Sequence, residues 1–249
     1  MRRTTRLLLA GALVVALMST TGCFRRERLS TSGTAPQTVS ESVPIGTATS
    51  AVTRISMGAG ELRLEGADLG SDALTGDFLY APSSLKPEIE SEQEGDALQI
   101  AVRHPTIQKL PFRNLASEWD LRLADGLPTE LVLNMGAGDS SIDLSDVDVT
   151  ELSVNLGAGE SRIDLTGERA HDVRGLVQAG AGEIVIRLPK DVPVRITGRQ
   201  DGIGEWSYDG FTTDGNAVVN EAWSADASEN SIELNVQRGV GNVRLELAD

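Results

Sequence analysis

The chain has one cysteine, two histidines and only 4% aromatic residues. A lone cysteine excludes any disulfide within the chain. The two histidines sit in polar settings, His104 before Pro105 and His171 within TGERAHDV, and both are read as surface residues outside any serine or metal constellation. With so few aromatics the core must be Leu, Ile, Val and Ala, and platforms for stacking sugars are scarce. Basic residues are also short, 22 against 37 acidic ones, and the formal charge of −15 argues against a nucleic-acid partner. No apolar run reaches the roughly 20 residues of a membrane-spanning helix.

The first segment carries an export pattern. Arg2, Arg3 and Arg6 precede the apolar residues 7–18, and STTGC follows, ending at Cys23. Basic head, short apolar run and small residues form a secretory signal. The stretch before Cys23 resembles the bacterial lipobox, with small Thr21 and Gly22, although Thr20 replaces the usual aliphatic residue. That resemblance implies residues 1–22 as a lipoprotein signal peptide and Cys23 as the lipidated residue, with the membrane reached through a lipid anchor. More than one acyl chain is needed, because a single chain binds membranes only marginally. Residues 23–50 are rich in Ser, Thr, Gly and Pro without apolar periodicity, and are expected to be a flexible linker.

The remainder is organised by a repeat. G-x-G triplets are centred on Ala59, Ala137, Ala158, Ala181, Ile203 and Val240, with spacings of 78, 21, 23, 22 and 37 residues. Counted from each centre, apolar residues fall at −4 and −2 (Leu133 and Met135, Val154 and Leu156) and at +5 and +7 (Ile142 and Leu144, Ile163 and Leu165). Each copy is therefore two period-2 strands with a phase slip at the glycines. A nucleotide loop would feed a helix, whereas these glycines feed alternating strands. The expected corners are Gly58, Gly60, Gly136, Gly138, Gly157, Gly159, Gly180, Gly182, Gly202, Gly204, Gly239 and Gly241, where glycine accepts positive φ and close backbone approach. The fold class that follows is an all-β β-solenoid with coils of about 22 residues, stacked to bury one core.

Three outward features add to this. Offset −3 reads Ser56, Asn134, Asn155, Gln178, Gln200 and Gln237, a candidate amide ladder. Offset +2 reads Glu61, Asp139, Glu160, Glu183, Glu205 and Asn242, an acidic column compatible with either a carboxylate pair or a cation, though repetition alone produces such a face. In the last two copies the inward −2 position carries Asp201 and Arg238, expected to stack as an ion pair. Residues 51–128 are read as an N-terminal β-subdomain continuous with the stack and 129–249 as the repeats. An insertion at 210–230 carries Trp223, the expected contact surface because long loops on rigid scaffolds often carry function.

The succession GAGELRLEGA, FLY, KPEI, WDLRL, VLNMGAGDSSIDLSDVDVTELSVNLGAGESRIDL and AGAGEIVIRLP resembles the bacterial toast-rack proteins, which are related to the C-terminal domain of LiaF-like stress-response proteins and to β-helical candidate adhesins. The resemblance covers about residue 52 onward and implies an envelope-associated solenoid without catalytic residues to carry over. The expectation is an exported, lipid-anchored, non-catalytic binding or scaffold module with no cofactor or metal, partnered by an envelope protein or polysaccharide. An adhesin, or a β-helical carbohydrate-active enzyme, is the alternative.

Overall fold

The computed structural model describes residues 35–105, 115–198, 203–224 and 230–248. Cys23, residues 7–18, Gln200, Asp201 and Gly202 lie outside them. The strands are β1 (Gln37–Pro44), β2 (Ser50–Ala59), β3 (Glu61–Ala67), β4 (Asp72–Ala81), β5 (Glu88–Glu94), β6 (Ala97–Arg103), β7 (Ala116–Ala124), β8 (Thr129–Ala137), β9 (Ser140–Asp143), β10 (Val149–Asp164), β11 (Val173–Pro189), β12 (Val194–Gly198), β13 (Trp206–Asp209), β14 (Thr212–Asp214), β15 (Ala217–Val219) and β16 (Ile232–Ala248).

Each coil has one half before its glycines and one after. The first halves stack in the order β5-β6-β2-β8-β10-β11-β16-β12-β15-β14, and the second halves in the order β1-β4-β7-β3-β9-β10-β11-β16-β13. Coil-to-coil pairs are parallel; β5, β4, β1, β15 and β14 are antiparallel additions at the ends. The fold is an all-β solenoid. Its repeat centres fall in register: Ala59 and Ala158 each face Ala137, Ala158 faces Ala181, Ala181 faces Val240, and Ile203 bridges Val240.

Chain order and stacking order nevertheless part company at both ends. The sixth copy, on β16, lies between the fourth (β11) and the fifth (β12 and β13). At the other end, β6 and β7 form a coil below β2 and β3 without a glycine corner. The chain leaves β11 at Pro189 and starts β12 at Val194, so residues 190–193 must pass over the β16 layer. Asn220, buried at 2% exposure, fixes this crossing. Its Nδ2 donates to the carbonyls of Pro189 (3.3 Å), Lys190 (3.1 Å) and Val192 (2.7 Å), and its Oδ1 accepts from the Val194 N–H (3.0 Å).

The core follows the alternation. Leu133, Val154, Val177 and Val236 are fully buried on the first-half wall, as are Ile163 and Ile186 on the second. Large apolar residues of this kind contribute about 1.5–3 kcal/mol each on burial. Trp119 and Phe78 fill the wide proximal end edge to face, with ring centroids 5.5 Å apart. The corner opposite the glycines is turned by side chains. Asp143 Oδ1 accepts from the Ser145 N–H (3.0 Å) and Asp164 Oδ1 from the Thr166 N–H (3.0 Å), which closes Asx turns. Buried Arg169 donates to the Leu144 and Val147 carbonyls across this corner.

Two segments correct the sequence reading. Residues 37–44 do not belong to a tether but form β1, with Val39 opposite Phe78 and Val43 opposite Leu74. Its Ser and Thr content is that of an edge strand whose outward positions are polar, which composition alone cannot separate from a linker. Residues 212–219 of the insertion are not loop but the β14–β15 hairpin, which extends the first-half wall beyond β12.

Candidate functional site

The glycine corners divide two physical tasks. At the −1 position, a Cβ on Gly157 would lie 2.0 Å from the Gly136 carbonyl oxygen, and one on Gly180 2.5 Å from that of Gly157. Real Cβ atoms do not approach backbone so closely, so this column needs glycine for proximity. At +1, Gly60, Gly138, Gly159, Gly182, Gly204 and Gly241 all have positive φ, between 119° and 146°. That column needs glycine for conformation as well. Gly136 and Gly239 also abut the preceding glycine carbonyl, while a Cβ on Gly58 would meet only His104 Nδ1, at 3.3 Å.

On the solvent side of the second halves, Glu118, Glu61, Glu160 and Glu183 lie on strands of successive coils, and Asp139, immediately before β9, takes the place between Glu61 and Glu160. Glu118 was not legible as a member, because its coil has no glycine marker. With Asp77 and Asp120, these carboxylates line a groove of about 740 Å³, relieved by Arg63 and Arg162. Asn242 interrupts the column beyond Glu183. Cross-strand compensation is partial: Arg244 lies 3.6 Å from Glu183 and Arg162 3.7 Å from Glu246. Arg122 donates to Glu65 at 2.9 Å, and this bond, with Asp120 and Asp77 nearby, raises the guanidinium above its ordinary value. Among the described residues no group of three or more His, Cys, Asp or Glu side chains could hold a metal ion.

The other wall carries the amides. Asn155 donates to Asn134 at 3.0 Å, and Gln178 to Gln237 at 3.1 Å, along the stack. Ser56, Asn134, Asn155 and Gln178 border a shallower groove of about 730 Å³ floored by glycine backbone and Met57, Met135 and Leu156.

His104 borders this groove and corrects the surface reading. It is half-buried, edge-on to Trp119 at 4.8 Å, and burial pushes its imidazole below the ordinary value. Its Nδ1 accepts from the Gly58 N–H (2.9 Å) and its Nε2 contacts Ser117 Oγ (2.8 Å). Accepting at Nδ1 places the proton of the neutral ring on Nε2, so no lone pair faces the serine and the pair is not a nucleophile with its base. His171 is exposed, with Nδ1 2.9 Å from Asp148.

Arg238 donates to the carbonyls of Ile203 (2.9 Å), Gly204 (2.9 Å) and Gly241. Its guanidinium thus caps the corner carbonyls at the distal end; Asp201 falls outside the described residues. Trp223 is half-buried, with the Arg195 guanidinium 6.0 Å from its ring centre. The geometry as a whole offers two long, ordered walls, one acidic and one lined by amides, rather than a converging set of reactive groups.

The family described as the N-terminal domain of toast_rack, DUF2154, matches residues 31–187, ending within β11. Among solved structures, a candidate cell-adhesion protein from Clostridium sporogenes is 28% identical, with a TM-score of 0.80 over 86% of this chain and 100% of its own. A candidate adhesin from Bacteroides fragilis is 11% identical over 85% of this chain and 97% of its own, with a TM-score of 0.31. A candidate lipid-binding protein from Parabacteroides distasonis is 12% identical over 85% and 98%, with a TM-score of 0.25. Curated proteins yield no match. A family match over more than half of the chain, carried by a solenoid with glycine corners in register, places this protein in the toast-rack family.

Proposed function

We propose that the protein is an exported, lipid-anchored, non-catalytic binding or scaffold module of the bacterial cell envelope, working as an adhesin. The observation that carries this reading is the likeness to the Clostridium sporogenes candidate cell-adhesion protein, which extends over 86% of this chain. The chemistry of the walls supports it. The His104 tautomer withholds a base from Ser117, and the acidic column repeats with the coils instead of converging on one point. The two carboxyls held below their ordinary values, Glu90 by its hydrogen bond to Arg103 and Asp172 by the Ser231 N–H, both lie away from the groove. The relation of toast-rack proteins to LiaF-like domains extends the proposal to envelope stress.

Crosslinking in intact cells followed by pull-down tests the module, with a specific envelope protein or polysaccharide as the expected product. Anchoring is tested separately. Processing is expected to be globomycin-sensitive, and lipid labelling is expected to disappear in Cys23→Ser. Unchanged processing without lipid rejects the anchor and leaves the module standing.

A further inference from the structure

The parallel coils of the solenoid end at four places; at three of them antiparallel strands are added, whose outermost members β5, β1 and β14 are in turn paired on one side only among the described residues. At the proximal end β5 lies over β6, and β4 with β1 over β7. At the distal end the β14–β15 hairpin lies over β12. The fourth place is β13, which pairs with β16 on one side and with no strand on the other among the described residues. Because β12 carries two extra strands and β13 none, the bare edge sits at the foot of a step two strands high.

The main chain of β13 leaves N–H groups free on its outer side among the described residues, although the Tyr208 carbonyl there already accepts from the Phe211 N–H (3.3 Å). Glu205 O accepts from the Val243 N–H (2.9 Å), and Ile203 exchanges bonds with Gly239 and Gly241. In a parallel ladder alternate residues bond to opposite sides. The odd-numbered residues are thus turned to β16, and the N–H groups of Trp206 and Tyr208 face the open edge. Side chains alternate the other way. Trp206 and Tyr208 point toward the core yet remain half-buried, Trp206 Nε1 has no partner, and Ile203 beside them is 73% exposed. The outward residues are Glu205, Ser207 and Asp209, all exposed, and neither acid has an ion-pair partner among the described residues. Arg244, the cation on the neighbouring strand, is engaged with Glu183.

We propose that the β13 edge is a strand-addition site for an extended segment of a partner protein in which apolar residues alternate with Lys or Arg. The apolar side chains complete the layer over Trp206 and Tyr208, while the basic ones meet Glu205 and Asp209. Main-chain bonds supply affinity and the alternating side chains supply selectivity, as in other additions to a sheet edge. Native sheets otherwise blunt such edges, as this one does with the polar and charged side chains of β1 (QTVSESVP), β5 (EIESEQE) and β14 (TTD). The inference deepens the binding-module reading and rests on it, but concerns a different surface from the acidic groove.

The test is calorimetric titration of the full chain carrying Cys23→Ser with a capped ten-residue peptide alternating Val and Lys. Control peptides alternate Val with Glu, and Gly with Lys. Saturable binding is expected for Val/Lys alone. Tyr208→Pro removes an edge N–H that is not needed for β16 and is expected to weaken binding about tenfold or more. Tyr208→Thr loses the same ring but keeps the N–H, and is expected to retain affinity to within about threefold. Absence of Val/Lys binding overturns the proposal, as does equal binding to Tyr208→Pro, which marks diffuse attraction to an acidic surface. A self-association of the unmodified chain that Tyr208→Pro abolishes also overturns it, since the edge then belongs to a second copy. None of these results depends on the cellular pull-down, so the two readings fail separately.

Discussion

In the coils centred on Ala137, Ala158 and Ala181, chain order is stacking order and each glycine meets a glycine below it. At the distal end the glycines still meet glycines but chain order fails, and at the proximal end both statements fail. The proximal coil of β6 and β7 offers no glycine to Gly58, whose N–H donates to His104 Nδ1 instead. At the distal end the guanidinium of Arg238 collects carbonyls of the last two corners. A column of backbone corners, like a helix, runs out of backbone partners where it stops. Here an imidazole accepts at one end and a guanidinium donates at the other. Regular repetition builds the middle, and particular side chains finish the ends.

The largest expected effect separates the two regimes within one motif position. Gly157→Val places its Cβ against the Gly136 carbonyl and is expected to cost about 4 kcal/mol or more, enough to abolish the cooperative transition in chemical denaturation. Gly58→Ala meets only an imidazole edge and is expected to cost under about 1.5 kcal/mol. Equal losses would erase the distinction between middle and end.

A smaller effect is expected from Asn220→Ala. Truncation strips three carbonyls and one N–H of their partner and is expected to cost about 2–4 kcal/mol. Amide hydrogen exchange should quicken around residues 189–194 and 232–236 while residues 129–165 stay protected. Uniform quickening would mean that the distal coils are not a separately secured end.

The smallest effect is a pH dependence. Burial holds His104 below its unfolded value of 6.5, so the unfolded chain takes up the proton first. The contribution of His104 is therefore complete above about pH 6.5 and is lost as pH falls toward the lower folded value. Protonated Nδ1 cannot accept from the Gly58 N–H, so the loss should appear first at the proximal corner. Denaturation midpoints from pH 7.5 to 5 should decline less in His104→Gln, whose amide oxygen can accept at any pH. An identical decline in both proteins would leave His104 without this role.

Much of the stack was legible because its cause is local. A G-x-G every 21 to 23 residues, with the apolar parity reversing across it, allows one arrangement of strands and corners, and the centres pair accordingly. The acidic column and the amide pairs follow from that register. Glu118 was hidden because its coil lacks the triplet that would have aligned it. His104 looked like a surface residue because nothing near it in sequence announces Gly58 or Trp119. The strand β1 resembled a tether because an edge strand with one buried wall needs only two valines.

The spacing and chemistry of its residues determined the coil, the corner and the outer columns of this protein, since a period-2 strand and a positive φ are properties of neighbouring residues. Only the tertiary structure decided that the sixth copy enters between the fourth and the fifth. All corners share one backbone geometry, so any copy can stack on any other. The choice falls to distant contacts such as those of Asn220 with the crossing and of the β14–β15 hairpin with β12. The same freedom left β13 as the last strand of its wall, with no antiparallel strand added to it among the described residues.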